Sequence, residues 1–271
     1  MTDFSVAVFA NDSLLLGEVL DKLEDEFPLF RYTVYSMPEY LPLIASDRPE
    51  ISAKSIDELS DEDIMVVLSD PGSAKKTIAK LDASIVDFTG IFDGDDDDVY
   101  IIREPLQYVA YHVKGDRRSA FMSVSLPAAA FGKNGIDDLL SQTRELFSFT
   151  QHKSKVFDER LAFNVIVDPG QGKGLLSGYV KSMSERTGMY VDARILPVST
   201  IFMADLVTVG ESYFEPGEDF YQFKGESIAE AAESEGIGMI KTAEGKVTLI
   251  GDYIKVVAVQ AAAGVKEATG V

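Results

Sequence analysis

The sequence predicts an α/β fold: a Rossmann-like, doubly wound parallel sheet over about the first 100 residues, followed by a mixed α+β region. Three observations carry that expectation. Short β-branched or aromatic runs alternate with helix-spaced leucines from residue 4 to residue 88. From Phe121 onward the strand-like stretches become longer and the helices fewer. The length of 271 residues suits two domains of ordinary size.

The run FSVAVF at residues 4–9 reads as a buried strand, and Leu16, Leu20, Leu23 and Phe27 then share one helix face. RYTVYS at 31–36 and IMVVLS at 64–69 are further strands, the second apolar on both sides. Asp70-Pro71-Gly72 predicts a turn, residues 73–81 a helix, and 85–88 the next strand. In the second half, Ile136, Leu139, Leu140, Thr143, Leu146 and Phe147 are spaced for a helix, as are residues 175–183. Strands are expected at 162–167, 191–198 and 201–209, and Glu244-Gly245 marks a hairpin turn into a strand at 246–250. The alanine-rich stretch from residue 254 to 263 reads as a last helix. These readings place a Rossmann-like domain at 1–118, completed by a C-terminal helix at 253–271, and a second domain at 119–252.

Composition limits the chemistry. With no cysteine the chain has no disulfide, no thiolate-bound zinc or iron–sulfur cluster and no thiol nucleophile. Only His112 and His152 are present, too few for an imidazole-rich metal site, so no metal is expected. Asp and Glu outnumber Lys and Arg by 45 to 25, a net charge of −20 that repels a phosphate backbone, so nucleic acid is not an expected partner. No apolar run approaches the roughly 18–20 residues of a spanning helix, and residues 1–30 show no basic segment followed by an apolar core. A cytoplasmic protein with no membrane partner is the expectation.

The turn that would hold a dinucleotide follows the first strand and reads Ala10-Asn11-Asp12-Ser13. It lacks the glycines that let a pyrophosphate reach the backbone, and Asp12 adds negative charge. The acidic run at 93–98 lacks the alternating ligands and distal glutamate of a calcium loop and reads as a solvated loop. Gly170-Gln171-Gly172-Lys173-Gly174 lacks the spacer and hydroxyl of a phosphate loop, with Leu175 where the hydroxyl belongs, and reads as a turn before a helix. His112 lies beside apolar residues and reads as a partly buried helix histidine; His152 lies in a polar stretch.

The most specific stretch is SVSLPAAAFGKNGIDDLLSQTRELF at 123–147, which contains Gly132-Lys133-Asn134-Gly135 and Gln142-Thr143 and is followed by the run from Ala162 to Ile166. In this order the motifs resemble the dimerisation domain of aspartate-semialdehyde dehydrogenases and their Usg-type paralogues. Weaker likeness extends to 63–72, 85–92 and 251–254. The resemblance implies a dimerisation domain of that type and a homodimer in a bacterial cytoplasm.

In that family a cysteine thiolate attacks the aldehyde, a histidine moves the proton, hydride passes to NADP and phosphate releases the acyl group. The resemblance puts Gln107, in Glu104-Pro105-Leu106-Gln107, at the cysteine position and Phe202, in the segment from Pro197, at the histidine position. The glutamine of the catalytic loop falls on Leu126, the cofactor turn on Ala10, Asn11, Asp12 and Ser13, and the Arg-Lys-Gly motif on Lys255-Val256-Val257. An amide cannot form a thioester and a phenyl ring cannot carry a proton. The expectation is a pseudoenzyme without a cofactor, acting as a dimeric binding or scaffold protein with a possible protein partner. Two alternatives stand beside it: an NADP-dependent oxidoreductase that acts on an aldehyde without a cysteine, and a small-molecule sensor using the old cleft lined by Phe202, Leu126 and Tyr108.

Overall fold

The computed structural model describes residues 4–92, 96–150, 154–157, 159–167, 174–225 and 227–271. The chain forms two compact units, Met1–Glu104 with Val257–Val271, and Pro105–Val256.

In the first unit, β1 (Ser5–Phe9), β2 (Arg31–Ser36), β3 (Ala53–Ser55), β4 (Ile64–Val67), β5 (Ser84–Asp87) and β6 (Val99–Ile101) form a sheet ordered β3-β2-β1-β4-β5-β6. Every pairing is parallel. The chain winds outward from β1 to one edge, returns to β4 and winds to the other, which is the doubly wound arrangement expected. Val6, Ala7, Val8 and Phe9 are all fully buried, as are Met65, Val66 and Val67, because both faces of a parallel sheet are covered. Helix α1 (Leu16–Glu26) buries Leu16, Val19, Leu20 and Leu23 and turns Glu18, Asp21 and Glu24 outward. Helix α2 (Leu41–Asp47) follows β2. The helix expected at 73–81 is shorter: a 3-10 turn at Gly72–Ala74 leads into α3 (Lys75–Ile78). Ala74 and Ile78 are its only buried residues, too little apolar surface to hold more than about one turn. The unit is closed by the C-terminal helix, whose Val257, Ala258, Ala261, Ala262 and Val265 are buried. Gly264 permits its approach, since a Cβ there would stand 2.8 Å from Val86 Cγ1.

The second unit opens with α4 (Pro105–Tyr111) and β7 (Val113–Lys114), followed by β8 (Ala120–Leu126), α5 (Gly132–Phe147), β9 (Ile166–Val167), α6 (Leu175–Thr187) and β10 (Tyr190–Ile195). β11 (Ile201–Thr208), β12 (Tyr213–Phe214), β13 (Phe220–Gln222), α7 (Ile228–Glu233), β14 (Ile237–Ala243), β15 (Lys246–Asp252) and the start of α8 (Tyr253–Thr269) complete it. Seven strands make a mixed sheet ordered β13-β14-β15-β11-β8-β10-β9, and β12 pairs with β7 alone. The β14–β15 hairpin turns at Gly245, whose φ of 69° suits glycine and whose Cα sits too close to Thr208 O for a Cβ.

The side chains of this sheet divide by the period of two. On one side, Met122, Val124, Leu126, Ala193, Ile195, Phe202, Ala204, Leu206 and Leu249 join Leu106 and Val109 of α4, Leu139 of α5, and Leu176 and Met183 of α6 in one core. On the other side the ladder lines up Tyr190, Phe121, Val207 and Lys246 in one row, and Asp192, Ser123, Asp205 and Thr248 in the next. The first of those rows is open to solvent: Tyr190 is 74% and Phe121 42% exposed.

Strand character was expected through residues 162–167 but is confined to Ile166–Val167. The backbone N–H groups of Leu161 and Ala162 are taken by a side chain on α5, and Phe163 has φ 58°, so the segment turns before it can join the ladder.

Candidate functional site

A doubly wound sheet holds its ligand outside the carboxyl ends of the strands where the winding reverses, here between β1 and β4. The turn that leaves β1 at this point consists of Ala10, Asn11, Asp12 and Ser13. Ala10 is buried and its N–H donates to Tyr35 O at 3.0 Å, extending the β1–β2 ladder. Asn11 joins three strand ends. Its backbone N–H donates to Ser69 Oγ (3.0 Å), its Nδ2 donates to Asp70 O beyond β4 (3.0 Å), and its Oδ1 accepts from Ser36 Oγ and from Met37 N beyond β2 (both 3.2 Å). The polar groups at the strand ends thereby satisfy one another across the reversal point.

Asp12 and Ser13 complete the same closure. Asp12 Oδ1 accepts from Leu14 N at 2.9 Å, and Ser13 Oγ donates to Asp47 Oδ2 at 2.9 Å. Two carboxylates thus stand just before α1, where a dinucleotide site needs bare backbone donors and positive potential. The arrangement suits a self-contained turn and opposes an incoming phosphate.

The positions that the resemblance assigns to the nucleophile, the base and the catalytic loop lie in the second unit. Gln107 is half-buried on α4. Leu126 and Phe202 are fully buried in the core of the mixed sheet, Leu126 opposite Ile195 and Phe202 opposite Gly251. Glycine at 251 leaves room for the Phe202 ring, whose Cε1 would lie 3.0 Å from a Cβ there. Both side chains are packed in the core of this unit, and with Tyr108 they are the residues that the sensor alternative placed along the wall of its cleft. Tyr108, also assigned to that wall, is half-buried and donates from its hydroxyl to Asp219 Oδ2 at 2.7 Å. His112 follows α4 rather than lying within it; it packs edge-on to Tyr108 and Phe220 with centroids 4.9 Å away, and its Nδ1 lies 2.9 Å from Glu215 O.

Lys255, Val256 and Val257 are in the first turns of α8, where Asp252 Oδ1 accepts from Ile254 N (2.9 Å) and Lys255 N (3.1 Å). A side-chain carboxylate therefore already caps this helix. Of the acidic run, Asp93 to Asp95 lie outside the described residues, and Asp96 to Asp98 are exposed. His152 and the segment from Gly170 to Lys173 also lie outside them, and Gly174 precedes α6 with φ 96°. Among the described residues no group of three His, Asp or Glu side chains could hold a metal ion.

The motif pieces that sequence placed in series are joined by hydrogen bonds. Gln142 Oε1 accepts from Leu161 N at 2.7 Å and Ala162 N at 3.0 Å, tying the Gln-Thr motif of α5 to the run that begins at Ala162. One turn earlier, Asp138 Oδ2 accepts from Ser154 Oγ (3.0 Å), Lys155 N (3.0 Å), Val156 N (2.8 Å) and Phe157 N (3.4 Å). Burial alone would raise the Asp138 carboxyl pKa, but these donors outweigh it and hold the group down at about 2. Sequence reasoning passed over Asp138. Its signal was its spacing: four residues before Gln142 on a helix, it presents a second acceptor along the same face.

No family model and no curated protein matches the sequence. Solved structures do match. Aspartate semialdehyde dehydrogenase II from Vibrio cholerae, complexed with ASA, superposes with a TM-score of 0.76 at 14% identity, over 100% of this chain and 99% of that one. A probable aspartate-semialdehyde dehydrogenase from Pseudomonas aeruginosa gives a TM-score of 0.68 at 14% identity, covering 98% of both chains. The Francisella tularensis aspartate semialdehyde dehydrogenase gives 0.62 at 13%, covering 99% of this chain and 100% of that one. The fold is that of aspartate semialdehyde dehydrogenase. Both halves of that semialdehyde dehydrogenase fold are present, the Rossmann-like parallel sheet and the α+β sheet of dimerisation-domain type. The thiol nucleophile typical of these dehydrogenases is absent from the whole chain.

Proposed function

We propose that the protein is a non-catalytic relative of the semialdehyde dehydrogenases that works as a homodimer, each copy presenting the uncovered side of its mixed sheet to the other. The observation that carries this reading is the division of that sheet: α4, α5 and α6 pack into the core on one side, while on the other Ser125 and Ile250 are buried and the neighbouring row of Tyr190, Phe121 and Val207 is left open and apolar. Solvent-exposed rows of this kind on a well-packed sheet mark association surfaces. Five of its strands, β8, β10, β11, β14 and β15, run six to eight residues. At about 4.8 Å between strands and about 3.4 Å per residue they present a surface roughly 20 Å on a side. That is roughly 400 Å² of flat area, about half of the roughly 800 Å² per partner of a standard interface, so side-chain relief and flanking loops would supply the rest. Asp192 and Arg194 lie on the same side, so two copies related by a two-fold axis can set opposite charges against each other.

The non-catalytic part rests on the missing thiol and on the closure of the β1 turn by Asn11. A bacterial cytoplasmic setting and a separate protein partner served by the dimer extend the same proposal. Light scattering on the purified chain tests its first step: a mass of twice 29.6 kDa is expected at micromolar concentration, and a strictly monomeric protein would overturn the reading.

A further inference from the structure

A cavity of about 350 Å³ lies in the second unit on the helix side of the mixed sheet, beneath the short β7–β12 pair. Its apolar wall is made by Leu206, Phe214, Met239 and Val247, Lys241 shares their side of the sheet, and Lys246, whose side chain belongs to the opposite row, borders it at the start of β15. Leu206 and Val247 face each other across β11 and β15, with Lys241 beside Val247 on β14, so the site is a continuation of the buried row on the side away from the dimer surface. This inference is therefore independent of the dimer proposal.

Charge separates this cavity from its surroundings. The chain carries 45 acidic and 25 basic residues, yet no Asp or Glu lines the cavity and two lysines do. Both lysines are exposed, and among the described residues neither has an ion-pair partner. In a field that otherwise repels anions, this is a local place where one is favoured.

The apolar wall is also set before any ligand arrives. Phe214 stacks edge-on to Phe220 (5.4 Å between centroids), which stacks on Tyr108 (5.8 Å), whose hydroxyl is fixed by Asp219. The same segment is tied by Glu215 N donating to His112 O at 3.0 Å, and Gln222 Nε2 donates to Met239 O at 3.0 Å across the β13–β14 edge. A preformed concavity of a few hundred Å³ that combines apolar side chains with polar groups, here Thr208, Gln222 and Lys241, is a form that small-ligand sites take.

We propose that this cavity binds a small amphiphilic monoanion, a carboxylate carrying an apolar chain or ring, with the apolar body on Leu206, Phe214 and Met239 and the carboxylate at Lys241. The test is calorimetric titration of the full chain with octanoate, octan-1-ol and octylammonium, on the natural protein and on the variants Lys241→Glu and Met239→Trp. Lys241 is exposed, so its reversal leaves the core intact; the unfolding temperature of each variant checks this. Octanoate is expected to bind saturably at one site and at least tenfold more tightly than octylammonium. Lys241→Glu should weaken octanoate at least fivefold, and Met239→Trp should abolish binding by filling the hollow. Absence of saturable octanoate binding in the natural protein would overturn the proposal. So would affinity unchanged in both variants, or octan-1-ol binding as tightly as octanoate.

Discussion

The turn after β1 and the outer side of the mixed sheet are opposite solutions to the same problem of unsatisfied surface. At the turn, Asn11 exchanges hydrogen bonds with Ser36, Met37, Ser69 and Asp70, so its side chain is engaged within the protein. On the sheet, the row of Tyr190, Phe121 and Val207 is left to water, although the opposite side of the same strands is fully packed. The turn engages its own polar groups, whereas the open row of the sheet is of the kind that meets another protein. On the proposed reading, that contrast places function on the second unit.

The largest effect expected within that unit comes from its internal support. Asp138→Ala strands the N–H groups of Lys155, Val156 and Phe157 around a residue that is only 2% exposed, while Ser154 Oγ keeps its bond to Phe157 O. A loss of about 3 kcal/mol is expected in urea unfolding. The same group predicts an acid transition. Its folded pKa of about 2 lies below the ordinary 3.8, so its contribution is fully present above about pH 4 and is lost as pH falls through 2. Integrated over that gap it is worth about 2 kcal/mol, and Asp138→Asn should flatten the corresponding part of the stability-versus-pH curve.

Next in size is the surface itself. Phe121→Asp places a charge in the middle of the apolar row, opposite Tyr190 and Val207. A charge desolvated in an interface without a partner is expected to weaken association by about 2 kcal/mol or more, roughly thirtyfold in dissociation constant. Sedimentation across a concentration series would detect it. An unchanged dimer would mean that association uses another surface, and the contrast between turn and sheet would lose its second half. Smaller again is Asn11→Ala, which removes the bonds to Ser36, Met37 and Asp70 but leaves the backbone bond to Ser69, for an expected loss of about 1–2 kcal/mol.

How much of this was legible in the sequence depends on the range of the interactions. The doubly wound sheet was readable because each strand announces itself locally: residues 4–9, 31–36 and 64–69 are apolar or β-branched runs, and Leu16, Leu20 and Leu23 repeat with the helix. The short elements β3, β6 and β7, the β13–β14 edge and α7 were not readable, because two to seven residues carry too little periodicity and are held by neighbours distant in sequence. The missing nucleophile was readable from a count of cysteines. The closure around Asn11 was not: nothing local to the turn announces that its amide meets residues 25 to 59 positions away. Residues 162–167 misled for a related reason. Their composition favours a strand, but Gln142 on a separate helix takes the N–H of Ala162 and so turns the chain.

The smallest effect expected is none at all, and it bears most directly on the comparison. A ligand bound only by the folded protein stabilises it by about 2.7 kcal/mol at a hundred times its dissociation constant, enough to move a thermal midpoint by several degrees. Titration with NADP or NAD should therefore leave the unfolding temperature unchanged. Asn11→Ala should leave that result unchanged as well, because Asp12 still places its carboxylate beside Leu14 N at the entrance to α1 and repels the pyrophosphate. A shift in the natural protein would revive the oxidoreductase alternative. A shift that appears only in Asn11→Ala would show that the amide alone shuts the crevice, and that the loss of cofactor binding rests on one side chain rather than on the whole turn.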